Sequence, residues 1–155
     1  MDKGNTQIQK MNGFSLLEII LTVAILLILS VFLFPFTIGK LQEVQLKNYS
    51  TKLIEDIYFQ QQQARNQNIH TGIKLESGKY TLFTGETFES STEKDVKELD
   101  KGYTISNISL NEGTTILFSP GSVKPTTFGT FVLNRGQSRI KIYINKEGLI
   151  GNEKM

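Results

Sequence analysis

The chain has 155 residues, no cysteine and one histidine, and its 17 basic against 15 acidic side chains leave a formal net charge of +2. Without cysteine it has no disulfide and no thiolate metal site, and so small a charge does not by itself direct it to nucleic acid or anionic lipid. It carries no G-x-S-x-G elbow, no phosphate-cradling glycine loop and no paired histidines, so it reads as a non-enzyme that needs no cofactor.

The sequence Lys10-Met11-Asn12-Gly13-Phe14-Ser15-Leu16-Leu17-Glu18 puts a basic leader, a glycine junction and one carboxylate in front of an apolar run. That run, residues 14–36, is about 23 residues or roughly 34 Å as a helix, which predicts a membrane-crossing segment. Lys3 and Lys10 outnumber Asp2 in the leader, predicting a cytoplasmic N-terminus and an exported C-terminal part. Glu18 is the only ionisable side chain in the run. A charge in hydrocarbon costs roughly 2.5–3.5 kcal/mol, so Glu18 either meets a partner from another subunit or protonates or snorkels to the headgroups. An ordinary secretory signal would end on small residues, and Val31-Phe32-Leu33-Phe34-Pro35-Phe36 has none. A plain single-pass anchor for a binding module also fits the hydropathy.

This stretch resembles the prepilin-type signal of type IV pilins and type II secretion pseudopilins. The matching residues are Gly13, Phe14, Ser15-Leu16-Leu17 and Glu18, the fifth residue after the junction, with Pro35 where many members carry a helix-kinking proline. The resemblance implies that a prepilin peptidase cuts between Gly13 and Phe14 and N-methylates the Phe14 amine. It implies that Glu18 meets the N-terminal amine of a neighbouring subunit. It further implies a single-pass inner-membrane precursor that becomes an extracytoplasmic filament, with the membrane, other pilins or pseudopilins and an inner-membrane assembly platform as partners.

Beyond the apolar run, Leu46, Tyr49, Leu53, Ile57 and Ala64 recur at helical spacing, predicting an amphipathic continuation over 37–68. Pro35, followed by Gly39, is expected to kink or loosen the helix. The polar run from Gln60 to Asn68 reads as its last exposed turns. Alternation then predicts a hairpin, 73–76 and 80–83, through Ser77-Gly78-Lys79. The charged stretch 85–101 reads as an exposed loop or short surface helix; lysines interleave with its acids and no calcium-loop pattern is present, so no metal site is assigned. Strand patterns resume at 103–105, 108–110, 115–118, 130–133 and 140–144, separated by turn residues.

The expected fold is therefore α+β: a leader over 1–13, a long and partly transmembrane N-terminal helix over 14–36 and 37–68, and an exported antiparallel β-sheet domain over 69–155. The order of elements over about 49–150 resembles H-type minor pseudopilins and FimT-like minor pilins, and the region from Gln60 to Gly85 is also similar to competence pseudopilins. The function expected is a minor pilin or pseudopilin of a secretion pseudopilus or pilus-like filament, with DNA uptake as the alternative. For the latter, Arg135, Arg139, Lys141 and Lys146 cluster near the last hairpin and offer a DNA contact, or equally the solvated face of an edge hairpin. The FimT-like basic motif around a final glycine is not matched, since Gly148-Leu149-Ile150-Gly151 lacks its arginines.

Overall fold

The computed structural model describes residues 15–155, with the side chains of residues 31–39 outside the description. The leader and the junction at Gly13 and Phe14 lie outside that range, as do the side chains at the expected kink, Pro35 and Gly39. The chain divides into two compact units, Met1–Gly39 and Lys40–Met155.

The order of elements is α1 (Leu16–Gln67), β1 (Thr71–Glu76), β2 (Lys79–Thr84), β3 (Glu93–Glu98), β4 (Tyr103–Leu110), β5 (Thr115–Phe118), β6 (Gly129–Arg135), β7 (Ser138–Ile144) and β8 (Ile150–Lys154). Among the described residues no helix is long and apolar enough to cross a membrane. This overturns the expected transmembrane segment over 14–36, and with it the partly transmembrane fold class, the single-pass topology and the inner-membrane location.

In the second unit the strands form two four-stranded antiparallel sheets, ordered β3-β2-β1-β5 and β4-β6-β7-β8, in place of the single sheet expected. The hairpin β1–β2 closes on Ser77 and Gly78, pairing Glu76 with Lys79. The charged stretch expected to be an exposed loop or a short surface helix contains β3, paired along its whole length with β2 from Lys79↔Glu98 to Thr84↔Glu93. It escapes sequence patterning because it is an edge strand with five of six residues exposed, so neither of its faces needs apolar side chains. β4 joins two predicted strands across a register shift between Ser106 and Ser109, where Asn107 takes a positive φ of 48°.

One core holds this unit together. Leu46, Leu53, Ile57 and Ala64 of α1, all at most 1% exposed, meet Ile73, Leu75, Tyr80 and Ile116 of the first sheet and Ile105, Phe131, Leu133 and Ile142 of the second. Burying an aliphatic or aromatic side chain of this size stabilises by roughly 1.5–3 kcal/mol, so this shared stripe decides where both sheets lie on the helix. α1 ends at Gln67, and Asn68 follows in the left-handed conformation (φ 55°) that commonly stops a helix.

Candidate assembly surfaces

In the first unit α1 opens on Ser15, whose hydroxyl and carbonyl oxygens both accept from the Glu18 amide, at 3.3 and 3.0 Å. Ser15 is thus the cap, and Ser15-Leu16-Leu17-Glu18 has the serine-x-x-glutamate spacing that favours a helix start. The sequence reading missed this local role, although the serine-x-x-glutamate spacing is the signal that carries it. The carboxylate also suits the positive end of the helix dipole. The hydroxyls farther along are satisfied within the helix, Thr22 donating to the Ile19 carbonyl at 2.9 Å and Ser30 to the Leu26 carbonyl at 2.7 Å.

The surrounding side chains are apolar on every face. Eleven of them, from Leu16 to Leu29, are between 48% and 78% exposed. A helix that is hydrophobic all round is normally buried, and an exposed apolar surface on this scale marks a surface that another molecule covers.

In the second unit the helix is fastened to both sheets by polar bonds. Gln61, 3% exposed, donates through Nε2 to the carbonyls of Val123 at 2.7 Å and Gly148 at 2.8 Å, tying α1 to two loops at once. Only glycine fits at 148: its φ is +87°, and a Cβ there would lie 2.2 Å from the Val123 carbonyl oxygen. Gln60, 4% exposed, gives its main-chain carbonyl to the Thr71 hydroxyl at 2.8 Å. Both glutamines were expected on an exposed turn; they sit beside Ile57 and Ala64 on the buried stripe, which a polar run conceals from a hydropathy reading. Tyr80, 2% exposed, donates to Asp56 Oδ2 at 2.6 Å, and burial, reinforced by that carboxylate, pushes its hydroxyl pKa well above the usual range.

Strand β8 is strapped to the helix by three further bonds. Lys154 donates to Glu43 Oε1 at 2.6 Å, Asn152 to the Ser50 hydroxyl at 2.9 Å, and Tyr58 to the Ile150 carbonyl at 3.2 Å. The Lys154 bond holds the Glu43 carboxyl below the ordinary carboxylate range, and Lys141 does the same for Glu153, which it pairs at 2.7 Å.

The basic residues grouped in the sequence are divided by the sheet register. Arg135 faces Ser138 and Tyr103 across its neighbours, on the helix-facing side of the second sheet. There its guanidinium lies 4.6 Å from the Tyr103 ring centroid and Nη1 donates to the Tyr103 hydroxyl, while Tyr103 stacks on Tyr49 at 4.2 Å. Arg139 and Lys141 project from the other face, paired with Asn134 and Val132, and Lys146 stands exposed in the turn before β8.

Two clefts flank the helix. One, of about 400 Å³, lies among Glu43, Lys47, Arg139, Asn152 and Lys154. The other, of about 460 Å³, is bounded by Phe59, Gln60, Gln63, Leu82, Glu93 and Asp95. Among the described residues no group of three histidine, cysteine or carboxylate side chains is placed to hold a metal ion. No family model, no curated protein and no solved structure matches the chain.

Proposed function

We propose that the chain is a structural subunit of a helical protein filament, a minor pilin or pseudopilin that a prepilin peptidase matures at Gly13–Phe14 and an assembly platform adds to other subunits. The observation that carries this reading is the uncovered apolar helix: eleven large apolar side chains between Leu16 and Leu29 are at least 48% exposed, and the only charge among them is Glu18. Packing such helices side by side in a filament core removes that surface from water, at roughly 25 cal/mol per Å² of apolar area. In that dry setting an unpaired carboxylate is costly, so Glu18 sets subunit register by meeting a neighbour's N-terminal amine.

Glu18→Gln tests this, because glutamine preserves the helix-start motif and removes only the charge. Mass spectrometry of the chain from expressing cells should find a mature product beginning at methylated Phe14, for the variant as for the parent. The variant should be depleted at least tenfold from sheared filaments. Normal incorporation would remove the register role, and an uncut chain would remove the junction.

The DNA-contact reading is less favoured, since Arg135 is turned onto Tyr103 and Lys141 is paired with Glu153. A deletion strain separates the two systems. Lost secretion with intact transformation marks a secretion pseudopilus, and the reverse marks DNA uptake.

A further inference from the structure

Near the start of the helix in the second unit, α1 and the last two strands leave between them the cleft of about 400 Å³. That size falls within the range of roughly 300–1,000 Å³ found for ligand sites. Its lining is mixed. Ile140, the exposed Met155 and the alkyl stems of Lys47 and Lys154 supply carbon, while Ser138 and Asn152 supply hydroxyl and amide groups.

The cleft is short of negative charge. Lys47 borders it from the helix and Arg139 from the start of β7; both are exposed, and among the described residues neither has a carboxylate within ion-pair distance. The acids of this region are already engaged, Glu43 by Lys154 at 2.6 Å and Glu153 by Lys141 at 2.7 Å. Arg135, the cross-strand partner of the lining residue Ser138, is half-buried and is held by the ring and hydroxyl of Tyr103, with no carboxylate among the described residues to neutralise it. Three uncompensated cations therefore stand at or next to one recess.

Carbon beside unpaired cations calls for an occupant that is partly apolar and negatively charged. A nucleic-acid phosphate backbone answers only the charge, whereas an acidic peptide answers both, and its main chain can bond to Ser138 and Asn152. We propose that this cleft docks an acidic segment of another protein, one apolar side chain lying against Ile140 and Met155 and its flanking carboxylates meeting Arg139 and Lys47. Arginine offers a planar fork that holds a carboxylate through two N–H groups, so Arg139 is the anchor and Lys47 adds charge. This goes beyond the filament reading, because the docking needs one copy of the chain and no assembly.

The test is fluorescence anisotropy of a fluorescein-labelled peptide of alternating glutamate and leucine, titrated with the full-length chain in a neutral detergent. Unlabelled competitors are the same peptide, one with glutamine for glutamate, one with serine for leucine, and a single-stranded oligonucleotide. The glutamate–leucine peptide should displace the probe at least tenfold better than any other. Arg139→Glu and Lys47→Glu should each weaken binding at least fivefold, and added salt should weaken it further. Lys146→Glu, on a turn outside the cleft, should change it less than twofold. Ser138→Phe, which fills the cleft, should abolish binding while the melting curve stays intact.

Equal displacement by the three peptides, or binding indifferent to both charge reversals, would reveal nonspecific attraction and overturn the proposal. Stronger displacement by the oligonucleotide would make the cleft a phosphate site and overturn the peptide assignment. No binding at millimolar peptide by a chain with an intact melting curve would overturn it as well. Each of these failures leaves the filament reading standing, since assembly plays no part in the assay.

Discussion

The two units treat apolar surface in opposite ways. In Lys40–Met155 most of the large apolar side chains are gathered between one helix face and two sheets, with Leu41, Val44 and Phe59 of the helix left exposed, and buried polar groups there reach across to other elements, as Gln61 does to Val123 and Gly148. In residues 16–30 the polar groups are satisfied inside the helix itself, by Ser15, Thr22 and Ser30, and the apolar groups are left outside. The first arrangement makes a body that holds its own core within one copy. The second makes an element that is internally satisfied as a backbone and unsatisfied as a surface, which is what an assembling segment requires.

Substitutions can break that contrast. The largest expected effect is at Phe131, fully buried in the second unit: Phe131→Ala should cost about 3–5 kcal/mol in chemical denaturation, while Leu26→Ala in the exposed segment should cost no more than about 0.5 kcal/mol and act on filament yield instead. Equal losses from the two would erase the distinction. Gly148→Ala comes next, at about 2–3 kcal/mol, since it combines an unfavourable φ with a collision against the Val123 carbonyl. Tyr80→Phe, which removes the bond to Asp56, should cost about 1.5 kcal/mol by the same measurement, and no change would show that the bond only offsets its own desolvation.

The smallest effect is that of pH. Hydrogen bonds from Lys154, Lys124 and Lys141 hold Glu43, Glu147 and Glu153 below the usual carboxylate value of 4.5. Their contribution is therefore present above the unfolded value and lost as pH falls through the lower folded values. Melting curves at pH 7 and pH 3 should differ, and the triple substitution to glutamine should narrow that gap only slightly, because all three groups are exposed.

Much of the second unit was legible in the sequence. The periodicity of Leu46, Leu53, Ile57 and Ala64 identified the helix face that is buried, and the alternation around Ile73, Leu82, Leu133 and Ile142 identified strands whose inner residues form the core. What was not legible has a common cause: elements fixed by main-chain bonding and not by apolar pattern. β3 is charged throughout except for an exposed valine, and β8 is too polar to alternate, yet both complete sheet edges. The buried pair Gln60 and Gln61 hid within a glutamine run for the same reason, since the partners that admit them are carbonyls or hydroxyls of residues from 71 to 148. Among the basic residues, proximity in sequence was misleading, because register put Arg135 on one face of the sheet and Arg139 on the other.

The strap between β8 and α1 bears on how the unit would respond to pulling. Its three bonds join Glu43, Ser50 and Tyr58, about two helical turns apart, to alternate residues of one strand, Lys154, Asn152 and Ile150. The helix positions span about 22 Å and the strand residues about 13 Å, so the three bonds fan out along the axis. A pull on the helix in either axial direction therefore stretches one outer bond while it slackens the other, which makes the strap a brake on sliding both ways.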